Sequence, residues 1–424
     1  MDLTTASNEQ LQALQTNLER EYSALKQAGL NLDLTRGKPS SDQLSLSNSL
    51  DGILQGNYSM DNTDLRNYGG LDGLPSAKAL FAPVIDVAVN EILIGGNSSL
   101  TLMHQCMTFC HLFGLNGADS AWSKQGQIKF LCPVPGYDRH FSVCEQLGIE
   151  MIPVAISDTG PDMDQVEALI KTDPQIKGIW CVPRFSNPTG CIYSDETVDR
   201  LAQLANNAGD NFRIFYDNAY AVHGLSADAP KLKPIMTACK NYGTEESVLI
   251  FGSTSKITFA GAGVCYLGAS KTNLAAITRH MGISSIGPNK VDQARHVKFL
   301  QDAVGINALM SEHAKLLQPR FKAVIDGLQN ELADSGICQW TNPEGGYFIS
   351  FDTLPGLAKT VVGMAADAGV KLTPAGATFP YGRDPEDKNI RIAPSVPSVG
   401  EITKATEVFV ICVKLATVNK LLAE

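Results

Sequence analysis

The 424-residue chain lacks any apolar run long enough to cross a membrane: "VLIF" and "VFVICVKLA" fall well short of the roughly 18 residues a spanning helix needs. It opens on "MDLTTASNEQ", without the basic and then apolar regions of a secretory signal, so a cytoplasmic protein is expected. Positive charge is scarce. The 34 Lys and Arg against 44 Asp and Glu leave a net charge of −10, which argues against a broad surface for nucleic acid or acidic lipid and favours a small-molecule partner. The ten cysteines are scattered through apolar runs without metal-ligand spacing. Cys106 and Cys110, four apart on one predicted helix, find no second pair, so buried thiols in a reducing compartment and no metal are expected. With 44% hydrophobic and 18% charged residues the chain is an ordinary globular protein and not a disordered one.

What is present is an alternation of short β-rich and helical runs. Leu11, Leu14, Leu18, Tyr22 and Leu25 recur at three-or-four spacing before Gly29, which predicts an opening amphipathic helix. "LDLTRGKPS" then reads as an extended crossing segment. From about residue 90 to 280, "QIKFLCPV", "IEMIPVAI", "IKGIWCVP", "FRIFYD", "SVLIFG" and "VCYLGA" read as strands. Several are apolar throughout, as in a mainly parallel sheet covered on both faces. A long helical stretch follows residue 290; beyond it "GGYFISFD", "VKLTPAG" and "NIRIAPS" read as strands before a last helix. The expected architecture is α/β: an N-terminal helix and crossing segment over 1–50 that joins the small domain, a large domain over 51–295 and a small C-terminal α/β domain over 296–424.

Each of several strands ends in an unusual polar group: "LCPVPGYDRH", "IWCVPRFSNPTG", "FRIFYDNAY" and "VLIFGSTSK". Ligands bind outside the carboxyl ends of strands in open doubly wound sheets. Tyr137, His140, Asn187, Asp217, Tyr220, Ser253, Ser255 and Lys256 are therefore candidates for one crevice. Asp217 after "FRIFY" would be partly buried and need a cation or strong donors, or else cap a following helix. Tyr220, three residues on, either shares that side on a first helical turn or is a packed tyrosine. Asn187 in "SNPTG" either donates to a ligand oxygen or sits in an ordinary turn. Asn97, Ser98 and Ser99 in "GGNSSL" precede the helical "TLMHQCMTFCHLF", a place for phosphate at a helix N-terminus or for a simple serine cap. In "NIRIAPS", Arg391 alternates with Ile390 and Ile392 and so leaves the apolar face, either to fork a carboxylate or to lie on an edge strand.

Lys256 in "GSTSKITFAGAGV" admits four readings: a solvated loop charge, a phosphate-binding loop, the Ser-x-x-Lys of a serine acyl enzyme, or an amine bonded to a cofactor. A P-loop needs G-x-x-x-x-G-K-[ST], and here isoleucine follows the lysine. "GAGVCYLGAS" lacks the G-x-G-x-x-G spacing of a dinucleotide site. Ser253-Thr254-Ser255-Lys256 matches S-x-x-K, and "YDN" at 216–218 is a loose match to S-D-N, but K-T-G is missing. The covalent amine accounts for more residues together. A lysine at a strand end can form a Schiff base with an aldehyde cofactor, and pyridoxal 5'-phosphate asks for an acid, hydroxyls, a phenolic-oxygen donor and a flat ring, which Asp217, Ser98, Ser99, Ser253, Ser255, Tyr220, Asn187 and Tyr137 supply.

"NYGGLDGLPSAKALFA", "GGNSSL", "PGYDRH", "SNPTG", "DNAY", "STSK" and "IRIAPS", in this order over nearly the whole chain, resemble the fold-type I pyridoxal-phosphate aminotransferases. "GSTSKITFAGAG" is most similar to a divergent bacterial aspartate aminotransferase subgroup. The resemblance implies a seven-stranded-type, mainly parallel sheet flanked by helices, and amino transfer between an amino acid and a 2-keto acid, with aspartate and 2-oxoglutarate the best guess and an aromatic or broad-range aminotransferase, or a lyase or decarboxylase using the same cofactor, the alternatives. It implies Lys256 as Schiff-base lysine and proton carrier, Asp217 on the pyridine nitrogen, Tyr137 stacked on the ring and His140 hydrogen-bonded to Asp217. Tyr220 and Asn187 would meet the phenolic oxygen. Asn97, Ser98, Ser99, Ser253 and Ser255 would line the phosphate, with Tyr68 reaching it from the other subunit of a homodimer. Arg391, Asn187 and backbone at Gly37 would take the substrate α-carboxylate. A distal carboxylate would need Arg36, Arg139 or Arg279. Many relatives place an arginine on the phosphate eight residues after the lysine, where this chain has Val264.

Overall fold

The computed structural model describes residues 2–424. Helix α1 (Asn8–Gln27) starts at a reciprocal cap between Ser7 and Gln10 and buries Leu11, Leu18 and Leu25 on one stripe. Gly29, at φ +64°, takes the left-handed turn that ends it.

The main sheet is built from β1 (Ile92–Ile94), β2 (Lys129–Val134), β3 (Glu150–Ser157), β4 (Gly160–Pro161), β5 (Ile176–Cys181), β6 (Arg213–Asp217), β7 (Val248–Ser253) and β8 (Cys265–Gly268), in the order β1-β8-β7-β6-β5-β2-β3-β4. Pairing is parallel from β7 through β6, β5 and β2 to β3; β8 and β4 run antiparallel to their neighbours. The seven-stranded type expected from the sequence is met, with the two-residue β4 added at one edge.

Because side chains alternate across a strand, Ile214 and Tyr216 of β6 enter one apolar layer and Phe215 the other. The second layer lies under α2 (Ser99–Leu112) and α3 (Asp138–Gln146), which contribute Met103, Cys106, Phe141 and Cys144. Asp217 shares the parity of Phe215, so it ends β6 on the side of these helices.

A long helix was expected after residue 290. The structure breaks it at Gln301, at φ +63°, into α4 (Lys290–Leu300) and α5 (Ala303–Leu332), because the Asp302 carboxylate accepts from Val304 and Gly305 N–H and starts a new N-terminus. The smaller sheet orders β9 (Cys338–Trp340), β10 (Ile349–Thr353) and β11 (Asn389–Ile392) in antiparallel pairs. Strands β1, β4 and β9 are too short for a period to announce them. Helix α6 (Val399–Ala423) is buried on nearly all sides. It shares a core with α1, α5, β10 and β11, so both chain ends pack in one layer. Among the described residues no helix is long and apolar enough to cross a membrane.

Candidate active site

The carboxyl ends of the parallel strands and the smaller sheet enclose a cavity of about 720 Å³. Ser98, Ser99, Tyr137, Asn187, Asp217, Tyr220, Ser253, Ser255, Lys256, Gly37 and Arg391 all line it. Segments far apart in the chain converge there because parallel strands deliver their C-terminal ends to the same edge.

Asp217 is 2% exposed. Its Oδ2 lies 3.0 Å from His140 Nε2, while its Oδ1 is buried without a hydrogen-bond partner. His140, equally buried, does not line the cavity; its ring stacks on Trp180 of β5 at 4.2 Å and 8°, and Tyr137 meets it edge-on at 4.9 Å. The carboxylate is thus held from behind and open in front, and an orphaned buried acceptor of this kind requires a donor. No helix begins at Asp217, since residues 219–222 form turns; the capping alternative falls, and Tyr220 reaches the cavity from a turn instead of a helix.

Lys256 Nζ stands 4.8 Å from the centre of the Tyr220 ring. Burial among these walls lowers the pKa of the ammonium, and the nearby Asp217 charge opposes that shift. Burial likewise raises the phenols of Tyr137 and Tyr220, with Tyr137 raised further by Asp217, so both stay protonated donors. The Lys256 carbonyl accepts from Tyr347 Oη at 3.4 Å.

The N-terminus of α2 points its free N–H groups at the cavity beside Ser98, whose side chain makes no capping bond. Ser253 Oγ donates to Ser255 Oγ at 3.1 Å, and Ser255 Oγ donates to the Asn97 carbonyl at 3.3 Å. Asn97 itself stays out of the wall: its amide donates to Ala260 O at 3.2 Å and fastens the loop after Lys256. Val264 is buried, and its N–H donates to Thr254 Oγ1 at 2.9 Å. His296 of α4 bonds Thr254 Oγ1 and Thr258 Oγ1 at 3.2 and 2.7 Å, so a neutral network braces the loop from behind at this end.

Arg391 is no edge-strand surface residue. It is 7% exposed, lies 4.8 Å over the Phe348 ring, and its Nη1 donates to Asn187 Oδ1 at 3.2 Å and to Asp138 Oδ1 at 3.0 Å. Its Nε donates to Thr373 Oγ1 at 3.3 Å. A Cβ at Gly37 would stand 2.5 Å from the Phe348 ring, so only glycine lets the chain pass there without displacing the platform under Arg391. Asp138, Phe348, Thr373 and Lys38 line the cavity without having been singled out from the sequence; Asp138 and Lys38 lie inside the quoted "PGYDRH" and "TRGKPS". Arg36 and Arg139 also line it, whereas Arg279 is exposed on another helix. Tyr68 lies outside this cavity, 82% exposed.

The chain matches the aspartate amino-transferase family over residues 6–424. An aspartate aminotransferase of Corynebacterium glutamicum is 45% identical over 402 residues, 94% of this chain and 93% of that one. The crystal structure of an aspartate transaminase from Corynebacterium glutamicum superposes with a TM-score of 0.96 at 43% identity, over 99% of both chains. An α-aminoadipate aminotransferase of Thermus thermophilus, complexed with N-(5'-phosphopyridoxyl)-L-leucine, shares the fold at a TM-score of 0.75 and 19% identity over 95% of both chains. Matched from end to end in sequence and in fold, the chain belongs to the aspartate amino-transferase family, a divergent group of the fold-type I aminotransferases, and its activity is the transfer of amino groups.

Proposed function

We propose that this protein is a cytoplasmic, homodimeric enzyme that uses pyridoxal 5'-phosphate to move the amino group of aspartate to 2-oxoglutarate. The observation that carries the reading is Asp217: a buried carboxylate braced by His140 on one oxygen and unpartnered on the other, in the same cavity as Lys256 and Arg391. That orphan oxygen suits the protonated nitrogen of a pyridine ring, and the α2 N-terminus with Ser98, Ser99, Ser253 and Ser255 suits a phosphate. When bound, the cofactor supplies an aldehyde that joins amines and a ring that draws electrons from the substrate Cα.

The placement of the residues around the cavity supports a role for each. Lys256 would hold the aldehyde carbon of the cofactor through Nζ and, when freed by a substrate amine, would carry the proton taken from the substrate Cα; its lowered pKa keeps that amine available as a base. Asp217 would keep the ring nitrogen protonated, Tyr137 would offer its ring to the pyridine face, and Tyr220 and Asn187 would donate to the phenolic oxygen. Arg391, held over the Phe348 ring, takes the α-carboxylate, with Arg36 or Arg139 free to meet a distal one. Tyr68 of a second copy completes the phosphate site.

A visible spectrum of the purified protein tests this. Absorbance typical of a bound pyridoxal group, changing on addition of aspartate and restored by 2-oxoglutarate, is expected. A protein that stays colourless with added pyridoxal phosphate would sink the proposal, and turnover of phenylalanine matching that of aspartate would overturn the substrate.

A further inference from the structure

Helix α4 presents three polar side chains at three-residue spacing, Lys290, Gln293 and His296, and all are buried. Residues three apart lie on neighbouring turns of one helical face. Here that face reaches two different loops. His296 grips Thr254 and Thr258, on either side of Lys256. Gln293 Oε1 accepts from Leu74 N–H at 2.8 Å. Lys290, 4% exposed, donates from Nζ to Asn67 O at 2.7 Å and to Gly69 O at 2.8 Å, the carbonyls on either side of Tyr68.

The lysine is an unusual choice for that position. A buried ammonium is costly, and the first turn of a helix is the wrong end of its dipole for a cation. Among the described residues no carboxylate forms an ion pair with it. Its ammonium is instead spent on two backbone carbonyls. The chain at Gly287 also passes close to this loop, where a Cβ would stand 2.5 Å from Gly69 O. The backbone on both sides of Tyr68 is therefore tied down, yet its side chain is 82% exposed, with Ile283 at 88% in the last turn of the helix Lys271–Ser284 and Ile286 at 63% on the connection from there into α4. A rigid backbone carrying an uncovered aromatic hydroxyl is arranged for something outside its own chain.

We propose that Lys290 is a positioning residue for the partner's active site: it fixes the loop that carries Tyr68 across the dimer interface, while His296 on the same helix fixes the Lys256 loop of its own site. The inference rests on the proposed dimer with Tyr68 acting in trans. It predicts opposite inheritance for two residues that lie on one helix face.

Heterodimers test it. With Lys256→Ala on one chain, the surviving site uses the other chain's lysine and the inactive chain's Tyr68. Lys290→Met on the inactive chain is expected to weaken pyridoxal phosphate binding, read from the equilibrium spectrum, by about tenfold, the weight of a charged hydrogen bond. The same change on the active chain leaves binding unchanged. His296→Leu should show the reverse pattern. Amide exchange at residues 65–70, measured on the dimer without added cofactor, should quicken in Lys290→Met and be restored in Lys290→Arg. Equal effects of Lys290→Met in both arrangements, no effect in either, or failure of both Lys290 variants to assemble would overturn the inference. Tyr68→Phe in the same two arrangements separates the failures. If it acts in trans while Lys290→Met does not, only the role of Lys290 falls; if it does not act in trans, the dimer reading falls first.

Discussion

Arg391 Nη1 donates to Asp138 Oδ1 at 3.0 Å, so the arginine expected to clamp the substrate carboxylate already holds a carboxylate of its own chain. The pair sits at the cavity wall, with Asp138 a third exposed and Arg391 almost enclosed. An incoming carboxylate must displace or share that partner. We predict that Asp138→Asn lowers KM for amino acid and keto acid together, by about threefold to tenfold, with little change in kcat, because a mobile competing charge is worth about 1 kcal/mol. Steady-state kinetics with both substrates checks this. A raised KM would mean that Asp138 aligns the guanidinium.

Arg391→Lys should be far more damaging than its charge conservation suggests. The planar fork meets Thr373, Asn187 and Asp138 at once and lies on Phe348, none of which an ammonium reproduces. A loss of about 10²-fold in kcat/KM is expected. Gly37→Ala attacks the same group indirectly by pushing Phe348, and should raise KM more than it lowers kcat.

His140→Phe keeps an aromatic ring against Trp180 but removes the hydrogen bond to Asp217 Oδ2. About tenfold to 100-fold loss of activity is expected, the weight of one hydrogen bond to a buried charge. Asp217→Asn should cost more, since it removes the charge itself. Spectra of both variants with bound cofactor, titrated against pH, distinguish lost charge from lost orientation.

Lys256 gives a pH signature in the protein free of cofactor. Burial lowers its pKa from 10.5, and Asp217 pushes the other way. Asp217→Ala should therefore lower the pKa further, read from the pH dependence of acylation at Nζ. The linkage has a definite sign: between the lowered folded pKa and the ordinary unfolded value the unfolded chain binds the extra proton, so this group's contribution to stability rises with pH across that window.

Val264→Arg would not supply a phosphate-binding arginine. The position is 1% exposed and its backbone is tied to Thr254, so a guanidinium there would be buried without an anion. Destabilisation by at least about 3 kcal/mol, seen as a lowered midpoint of unfolding, is expected.

The alternating apolar runs of the large sheet were readable because strands buried on both faces must be apolar throughout, and the polar groups that interrupt them at Asp217, Asn187 and Lys256 were readable for the same reason. Strands of two or three residues, such as Ile92–Ile94 and Gly160–Pro161, carry too few side chains to show a period. The break at Gln301 was missed because the apolar pattern continues across it, and only the Asp302 cap marks the new start.

Composition and strand ends alone thus determined an α/β chain with a lysine, a carboxylate and an amide among the polar groups at its strand ends, and the order of its motifs supplied the resemblance that implies amino-group chemistry. Tertiary structure decided what each of them faces. That Asp217 has one braced and one orphan oxygen, that Arg391 begins paired with Asp138, and that Lys290 spends its charge on the carbonyls around Tyr68 are contacts between segments tens to hundreds of residues apart. Local patterns record which face a side chain takes, while packing between distant elements fixes its partner.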